Sequence, residues 1–228
     1  MNKTVLSTAL AAGLCATSAV QAEIGISLNV GPILVSPDSG ESELDQDATL
    51  SVGVDSNTQL GLIFDIPIND NIVVEVVAAT PFEHDITGET GLAGAATSEI
   101  GSTKHLPPTV FAQYHFGRPD AVFRPFVGAG LNYTIFFEEE TGTGLRNALA
   151  GLGVTADQDV DVELDDSVGI ALQGGFNYML SEDWTVNAML SWIDINTDAD
   201  IKVDGVSKLT SEVEIDPLVF FIGAKFDF

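Results

Sequence analysis

Residues 217–228 read Pro217-Leu218-Val219-Phe220-Phe221-Ile222-Gly223-Ala224-Lys225-Phe226-Asp227-Phe228, with an apolar residue at every second position from Leu218. The positions between the apolar ones include the charged residues Lys225 and Asp227. A period of two is that of a β-strand, whose successive side chains point to opposite faces. One face of this strand suits lipid, and the other suits a polar interior. The lipid-facing set is Leu218, Phe220, Ile222, Ala224, Phe226 and Phe228.

The same alternation recurs upstream in seven further segments. They are Ile24–Ser36, Gln59–Ile68, Asn71–Ile86, Lys104–Phe116, Phe123–Phe137, Val168–Leu180 and Trp184–Trp192. Short links at 67–70, 117–120 and 181–183 alternate with long polar links at 37–58, 87–103, 138–161 and 198–211. An even number of antiparallel strands closes into a barrel and leaves no unpaired backbone edge in hydrocarbon. The sequence therefore predicts an all-β fold, an eight-stranded antiparallel transmembrane β-barrel with short periplasmic turns and four long extracellular loops.

The first 22 residues have the features of a cleavable signal peptide. Lys3 precedes an uncharged stretch with an apolar centre, and Val20-Gln21-Ala22 suits a signal peptidase. We therefore expect residues 1–22 to be removed and residues 23–228 to form the barrel. A lipid anchor on Cys15 is the alternative, which the bulky Leu14 before it disfavours. Because Cys15 is the sole cysteine, residues 23–228 offer no disulfide, thiolate or cysteine-based metal site.

The charge of the chain excludes some partners. It has 34 Asp and Glu against 8 Lys and Arg, a formal net charge of −26. Nucleic acid is excluded, because phosphate recognition needs clustered Lys and Arg. The acidic residues of the long links predict a solvated surface, or a surface that divalent cations bridge to lipopolysaccharide. Asp157, Asp159 and Asp161 have the spacing that opens a calcium loop but lack its glycine and closing glutamate, so no metal site is predicted.

Several strings go beyond general barrel patterning. The sequence from Ala78 to Ile86 reads AATPFEHDI, residues 106–109 read LPPT, and residues 113–116 read QYHF. Further strings are PFVGAGLNYT at 125–134, WIDI at 192–195 and the ending from Ile215. In combination they resemble the OmpW family over nearly all of the chain after residue 22. Its departure from the family is the length and acidity of the loops.

The resemblance implies an outer-membrane barrel with a narrow hydrophobic interior that passes small apolar molecules across the outer membrane. It also implies that Phe228 belongs to the signal read by the outer-membrane insertion machinery.

The inward face of the strands after Gly117 carries few charges. We predict an apolar cavity lined by Phe111, Phe136, Met189, Ile193, Gly130 and Ala171, for binding or transit of small hydrophobic solutes. The alternative is that these side chains only pack the lumen. The inward positions are Phe126, Gly128, Gly130, Asn132, Thr134, Phe136, Gly169, Ala171, Gln173, Gly175, Asn177, Met189, Ser191, Val219, Phe221 and Gly223.

Three prolines interrupt apparent strands near their outer ends, namely Pro81, Pro107 and Pro108. Proline removes a donor from the ladder, so it belongs where pairing is broken. Such a break could open the barrel wall and let an apolar solute leave sideways into lipid. The alternative is that the strands end there.

An enzymatic function is not predicted. His84 and Asp85 could form an acid–base pair, but adjacent residues of a strand face opposite sides. There is no G-x-S-x-G motif, and the three histidines are not spaced as a metal triad. We therefore predict no catalytic residue, metal or cofactor.

Two functional hypotheses remain open. The first is a monomeric outer-membrane barrel, in contact with lipid and lipopolysaccharide, whose apolar lumen takes up small hydrophobic solutes and releases them into the membrane or the periplasm. The second is a structural or surface-interaction barrel, an adhesin or a receptor, with a closed lumen. The four long loops would carry that second function. In the third loop, Leu145, Leu149 and Leu152 predict a short helix over the barrel mouth.

Overall fold

The computed structural model describes residues 25–38, 50–90, 98–150, 153–182 and 184–228. The predicted signal peptide at 1–22, with Cys15, lies outside these ranges. Within them, no helix has both the length and the apolar character needed to cross a membrane. In chain order the elements are β1 (Ser27–Ser36), β2 (Leu50–Val54), β3 (Asn57–Pro67), β4 (Ile72–Ala79), β5 (Phe82–Thr90), β6 (Ser98–Leu106), β7 (Thr109–His115), β8 (Phe123–Thr141), α1 (Thr143–Ala150), β9 (Val160–Leu164), β10 (Ser167–Met179), β11 (Thr185–Ile193), β12 (Asn196–Val203), β13 (Val206–Glu214) and β14 (Leu218–Asp227).

The predicted eight-stranded antiparallel barrel is confirmed. Its ladder runs β1–β3–β4–β7–β8–β10–β11–β14, and β14 pairs back onto β1. Leu28 of β1, for example, lies opposite both Phe226 and Phe64. Strand β5 extends the line of β4, and β6 leads into β7, so the third and fourth strands of the barrel are each divided in two. Closure gives the backbone of every barrel strand a neighbour on both sides.

Three short connections join β3 to β4, β7 to β8 and β10 to β11 at one end of the barrel, which we call the turn end; the opposite end is the loop end. Local chemistry closes the turns. The side-chain Oδ1 of Asn69 accepts the backbone N–H groups of Asn71 and Ile72, both at 2.9 Å. Gly117 has a φ of 79°, which glycine adopts without a steric penalty. These links are the three predicted periplasmic turns.

The outer surface of the barrel is an apolar belt. At the turn end, aromatic rings lie in contact, with Trp184 5.3 Å from Phe226 and Phe123 5.3 Å from Phe176. Towards the loop end the belt finishes at Tyr133, whose hydroxyl donates to Asp166 at 2.8 Å. Aromatic rings at the two margins of an apolar band are typical of membrane barrels. Large exposed apolar side chains of the belt include Leu60, Val110, Leu131, Val168, Ile170, Leu172, Leu190, Leu218, Phe220 and Ile222.

The long connections contain more regular structure than their polar composition predicts. Strand β8 continues to Thr141, β5 pairs with β6, and β12 forms a hairpin with β13 that also pairs with β9. The predicted helix is α1, and its Leu149 packs with Val160 and Val203 in a small second core. Leu152 lies outside the described residues. The strand pairings rest on an alternation that continues beyond the membrane, as in Thr197-Asp198-Ala199-Asp200-Ile201.

Candidate functional site: the barrel lumen

An apolar cavity crosses the lumen near the loop end, and we call it the lumen cavity. It is narrow, because its enclosed volume is about 20 Å³, close to the space that one water molecule needs. No charged residue belongs to its described lining. The lining residues are Ile33, Val35, Val77, Ala78, Ala79, Phe82, Pro107, Thr109, Phe111, Met189, Ser191, Ile193 and Val219.

The structure brings together half of the predicted lining residues. Phe111, Met189 and Ile193 line the lumen cavity, and each is at most 4% exposed. Gly130 and Ala171 lie opposite each other in the ladder, and Gly130 also pairs with Phe111. A Cβ atom at Gly130 would lie 2.7 Å from Cδ1 of Phe111. The missing side chain at Gly130 therefore makes room for the Phe111 ring and does not add free space to the lumen.

Phe136 is also buried but does not line the cavity, and it belongs to an aromatic stack that begins at the lining residue Phe82. The stack consists of Phe82, His84, His105 and Phe136, with centroid distances of 4.9 Å between the two histidines and 5.8 Å between His105 and Phe136. It lies at the level of Lys104 and Glu83, which form an ion pair at 3.8 Å on the outer face. The stack is therefore outside the apolar belt.

Burial keeps both stacked histidines neutral. It lowers the pKa of His84, and together with the neighbouring His84 it lowers the pKa of His105 to about 3. His84 is 2% exposed and its Nδ1 contacts the carbonyl oxygen of Asp55, whereas Asp85 is exposed on the opposite face. The adjacent His84 and Asp85 therefore do not meet in one site. Among the described residues, no three His, Cys, Asp or Glu side chains converge as metal ligands.

The half of the lumen near the turn end is filled by polar side chains, which we call the polar floor. Its members are Asn29, Asp65, Glu75, Gln113, His115, Gln173, Asn177, Asn187 and Lys225. Nζ of Lys225 lies 2.8 Å from Oδ2 of Asp65, which also accepts Nδ2 of Asn29 at 3.1 Å. Nε2 of Gln173 donates to Oε1 of Glu75 at 3.0 Å. Charged side chains therefore occupy an interior that the later strands alone had suggested to be nearly uncharged.

This network corrects the sequence-based description of the lumen. Asp65 and Glu75 lie on β3 and β4, whereas the inward positions had been read from the strands after Gly117. A signal was present, since Glu75 is a single acid within the apolar run Ile72-Val73-Val74-Glu75-Val76-Val77. A charge there must face the interior, because a charged side chain on the lipid face is strongly unfavourable.

The three prolines mark a gap in the barrel wall between two parts of the ladder. On the turn side, pairing of β4 with β7 finishes at Val77 opposite Thr109. On the loop side, pairing of β5 with β6 begins at Phe82 opposite His105. Pro81, Pro107 and Pro108 lie between these two pairs, and Pro107 also lines the lumen cavity.

Two carbonyl groups of the gap have partners within the chain. Its prolines have no N–H to satisfy. The carbonyl oxygen of Pro107 accepts the hydroxyl of Thr109 at 3.0 Å, and that of Pro108 accepts the backbone N–H of Tyr133 at 3.1 Å. These two hydrogen bonds lower the cost of a break in the ladder beside lipid, where an unpaired carbonyl is strongly unfavourable.

Comparisons with known proteins agree with this architecture. The family model described as the OmpW family matches residues 23–228. Outer membrane protein W of Vibrio cholerae is 45% identical over 196 residues, which are 86% of this chain and 84% of that protein. Outer membrane protein W of Escherichia coli K12 is 43% identical over 175 residues, 77% of this chain and 75% of that protein. The crystal structure of the outer membrane protein OprG from Pseudomonas aeruginosa is similar with a TM-score of 0.76 at 34% identity, covering 90% of this chain and 96% of that one.

Proposed function

Since the chain belongs to the OmpW family and is an outer-membrane β-barrel, we propose that it takes small apolar molecules from outside into the lumen cavity and releases them sideways through the gap into the lipid. The single observation that carries the proposal is the position of the cavity, which reaches from the gap residues Ala79 and Pro107 across to Met189 on the opposite wall.

The lining of the lumen cavity favours apolar solutes. Burial of apolar surface is the main favourable contribution to binding in such a site. The described lining has no charged group that could pair with a charged or strongly polar solute. Met189 adds adaptability, since its unbranched thioether side chain repacks around different shapes. Because the enclosed volume is only about 20 Å³, this repacking has to widen the cavity around each solute that enters.

The polar floor argues against release straight into the periplasm. An apolar solute on that path would have to separate Lys225 from Asp65 and Gln173 from Glu75, and would leave buried polar groups without partners. The gap has no such network to separate, and the carbonyls of Pro107 and Pro108 are paired within the chain. Lateral release is therefore the path of lower free energy for an apolar solute.

The test fills the cavity beside the gap. Ala79 is partly buried against the apolar core, whereas Ala112 lies on the lipid-facing side of β7. Entry of N-phenyl-1-naphthylamine into cells with an intact lipopolysaccharide leaflet should fall to the level of cells without the protein for Ala79→Trp. The same change at Ala112 should leave uptake at the wild-type level. Unchanged uptake by a folded, inserted Ala79→Trp barrel would contradict the proposal.

The ordered loop end supports a second candidate, a surface-interaction barrel. Strands β12, β13 and β9 form a separate three-stranded sheet with its own apolar core. Such a sheet could present a fixed surface to a partner. Replacing residues 197–213 by a short turn should leave solute uptake intact if the lumen carries the function, and should abolish cell-surface attachment if the sheet does.

A further inference from the structure

One hydroxyl group in the lumen cavity has no partner within the described residues. Ser191 is 2% exposed and lines the cavity, and its Oγ makes no hydrogen bond there. Buried polar groups in folded proteins are nearly always paired, and this hydroxyl lies at the wall of a cavity, where it is available to a partner that enters from outside the chain.

The second hydroxyl of the lining is fully engaged. Oγ1 of Thr109 donates to the carbonyl oxygen of Pro107 at 3.0 Å and accepts Nδ2 of Asn132 at 2.9 Å. Ser191 is therefore the side chain of the described lining that can still form a hydrogen bond with a solute.

A second unpaired atom lies beside Ser191. Gln173 is the register partner of Ser191 in the β10–β11 ladder, and residues so paired are close neighbours on one face of a sheet. Its Nε2 is used by Glu75, but its Oε1 has no hydrogen-bond partner among the described residues. The boundary between the lumen cavity and the polar floor thus offers a hydroxyl, which donates and accepts, together with an acceptor.

We infer that the lumen cavity binds small neutral molecules with an apolar body and a single hydroxyl group, such as phenols and cyclic alcohols, and that Ser191 anchors this hydroxyl. A ligand hydroxyl can accept from Ser191 and donate towards Oε1 of Gln173. The hydrocarbon part of the ligand would displace the side chains of Met189, Phe111 and Val35, which widens the cavity around it. A carboxylate or ammonium group would lack a counter-charge in the described lining and would be disfavoured. The inference rests on the proposed function and specifies its substrate class.

The test uses two probes that differ in one group, 4-fluorophenol and 4-fluorotoluene, titrated against the full barrel in lipid nanodiscs and followed by ¹⁹F NMR. Empty nanodiscs give the lipid partition of each probe. The matched variants are Ser191→Thr and Ser191→Val, which have the same outline and differ in the hydroxyl. Ser27→Ala is the control, because Ser27 is also buried on an inward face but lies at the turn end, outside the cavity lining.

We expect wild-type protein, Ser27→Ala and Ser191→Thr to prefer the phenol over the toluene. In Ser191→Val that preference should fall on the order of three- to tenfold, the usual effect of one hydrogen bond, with toluene binding changed less than about twofold. The Thr and Val variants repack the wall equally, so a purely structural effect would move both.

Other outcomes separate the two levels of the argument. If both probes bind to the protein but Ser191→Val leaves their ratio unchanged, Ser191 is not the anchor, and the inference is overturned while the proposed function stands. If wild-type protein binds the two probes equally, the hydroxyl-bearing substrate class is wrong. If neither probe binds above empty nanodiscs, the lumen cavity is not a binding site, and the proposed function fails as well.

Discussion

Removing Lys225 should destabilise the barrel more than removing its partner Asp65. Nζ of Lys225 lies 2.8 Å from Oδ2 of Asp65, and the side chain of Asp65 is 3% exposed whereas that of Lys225 is 15% exposed. In Lys225→Met the carboxylate stays buried without a counter-charge, and Nδ2 of Asn29 remains as its hydrogen-bond donor. In Asp65→Asn the longer lysine can still extend its ammonium group towards water.

The magnitude follows from the loss of one member of a buried ion pair, which costs about 3–5 kcal/mol. We expect Lys225→Met to lose an unfolding free energy within that range. The loss in Asp65→Asn should be about 1–2 kcal/mol smaller, because the lysine left without a partner is less deeply buried. The double variant Lys225→Met/Asp65→Asn removes both charges and should lie within about 1 kcal/mol of wild type, since a neutral pair of similar size avoids the desolvation of two ions. The coupling free energy between the two sites should therefore exceed about 2 kcal/mol.

The assay is reversible urea unfolding in lipid vesicles, followed by tryptophan fluorescence from Trp184 and Trp192, with all four proteins of the double-mutant cycle measured at pH 7.5. Solute uptake by the double variant tests the closed floor separately, and it should stay at the wild-type level because release is lateral. A loss below about 1 kcal/mol for Lys225→Met, or additive losses in the double variant, would refute the view that this pair is a tightly coupled part of the polar floor.

Two further predictions follow from the surface and from the histidine stack. Ile222→Arg, at a side chain that is 43% exposed in the middle of the apolar belt, should cost about 2–4 kcal/mol of unfolding free energy in vesicles, whereas Leu209→Arg on β13 at the loop end should cost much less. Burial lowers the pKa of His105 to about 3, so the folded state stays unprotonated where the unfolded chain gains a proton. Stability should therefore decline as the pH falls from the unfolded value of about 6.5 towards 3, by about 1.4 kcal/mol per pH unit, or about 2 kcal/mol at pH 5. His105→Phe, which keeps a ring between Phe82 and Phe136, should remove this part of the decline in urea unfolding at pH 7.5 and pH 5.

Each of these two predictions would be contradicted by one specific result. Equal losses for the arginines at Ile222 and Leu209 would mean that the belt does not face lipid. A pH dependence that is the same in wild type and His105→Phe would mean that the stack does not disfavour protonation.

The period of the side chains determined most of the barrel from sequence. Along Leu218–Ile222 exposed and buried positions alternate as predicted, because a strand with lipid on one face cannot slip by one residue without exposing its polar side. Short turns such as Pro67–Asn71 and the helix over Leu145 and Leu149 follow from local chemistry in the same way. Pro81, Pro107 and Pro108 lie where pairing between the strands is interrupted, because a residue without an N–H group cannot donate to the ladder.

Tertiary structure alone decided which inward residues share a level of the lumen. Glu75 meets Gln173 although they are 98 positions apart, and Asp65 meets Lys225 across 160 positions. Their meeting depends on the ladder registers and on closure of β14 against β1, which periodicity does not specify. For the same reason Phe136, although inward, joins the histidine stack, while Ser191 reaches the lumen cavity. Alternation assigns each side chain to a face, but its height in the barrel, and hence its neighbours, is set by pairings between distant strands.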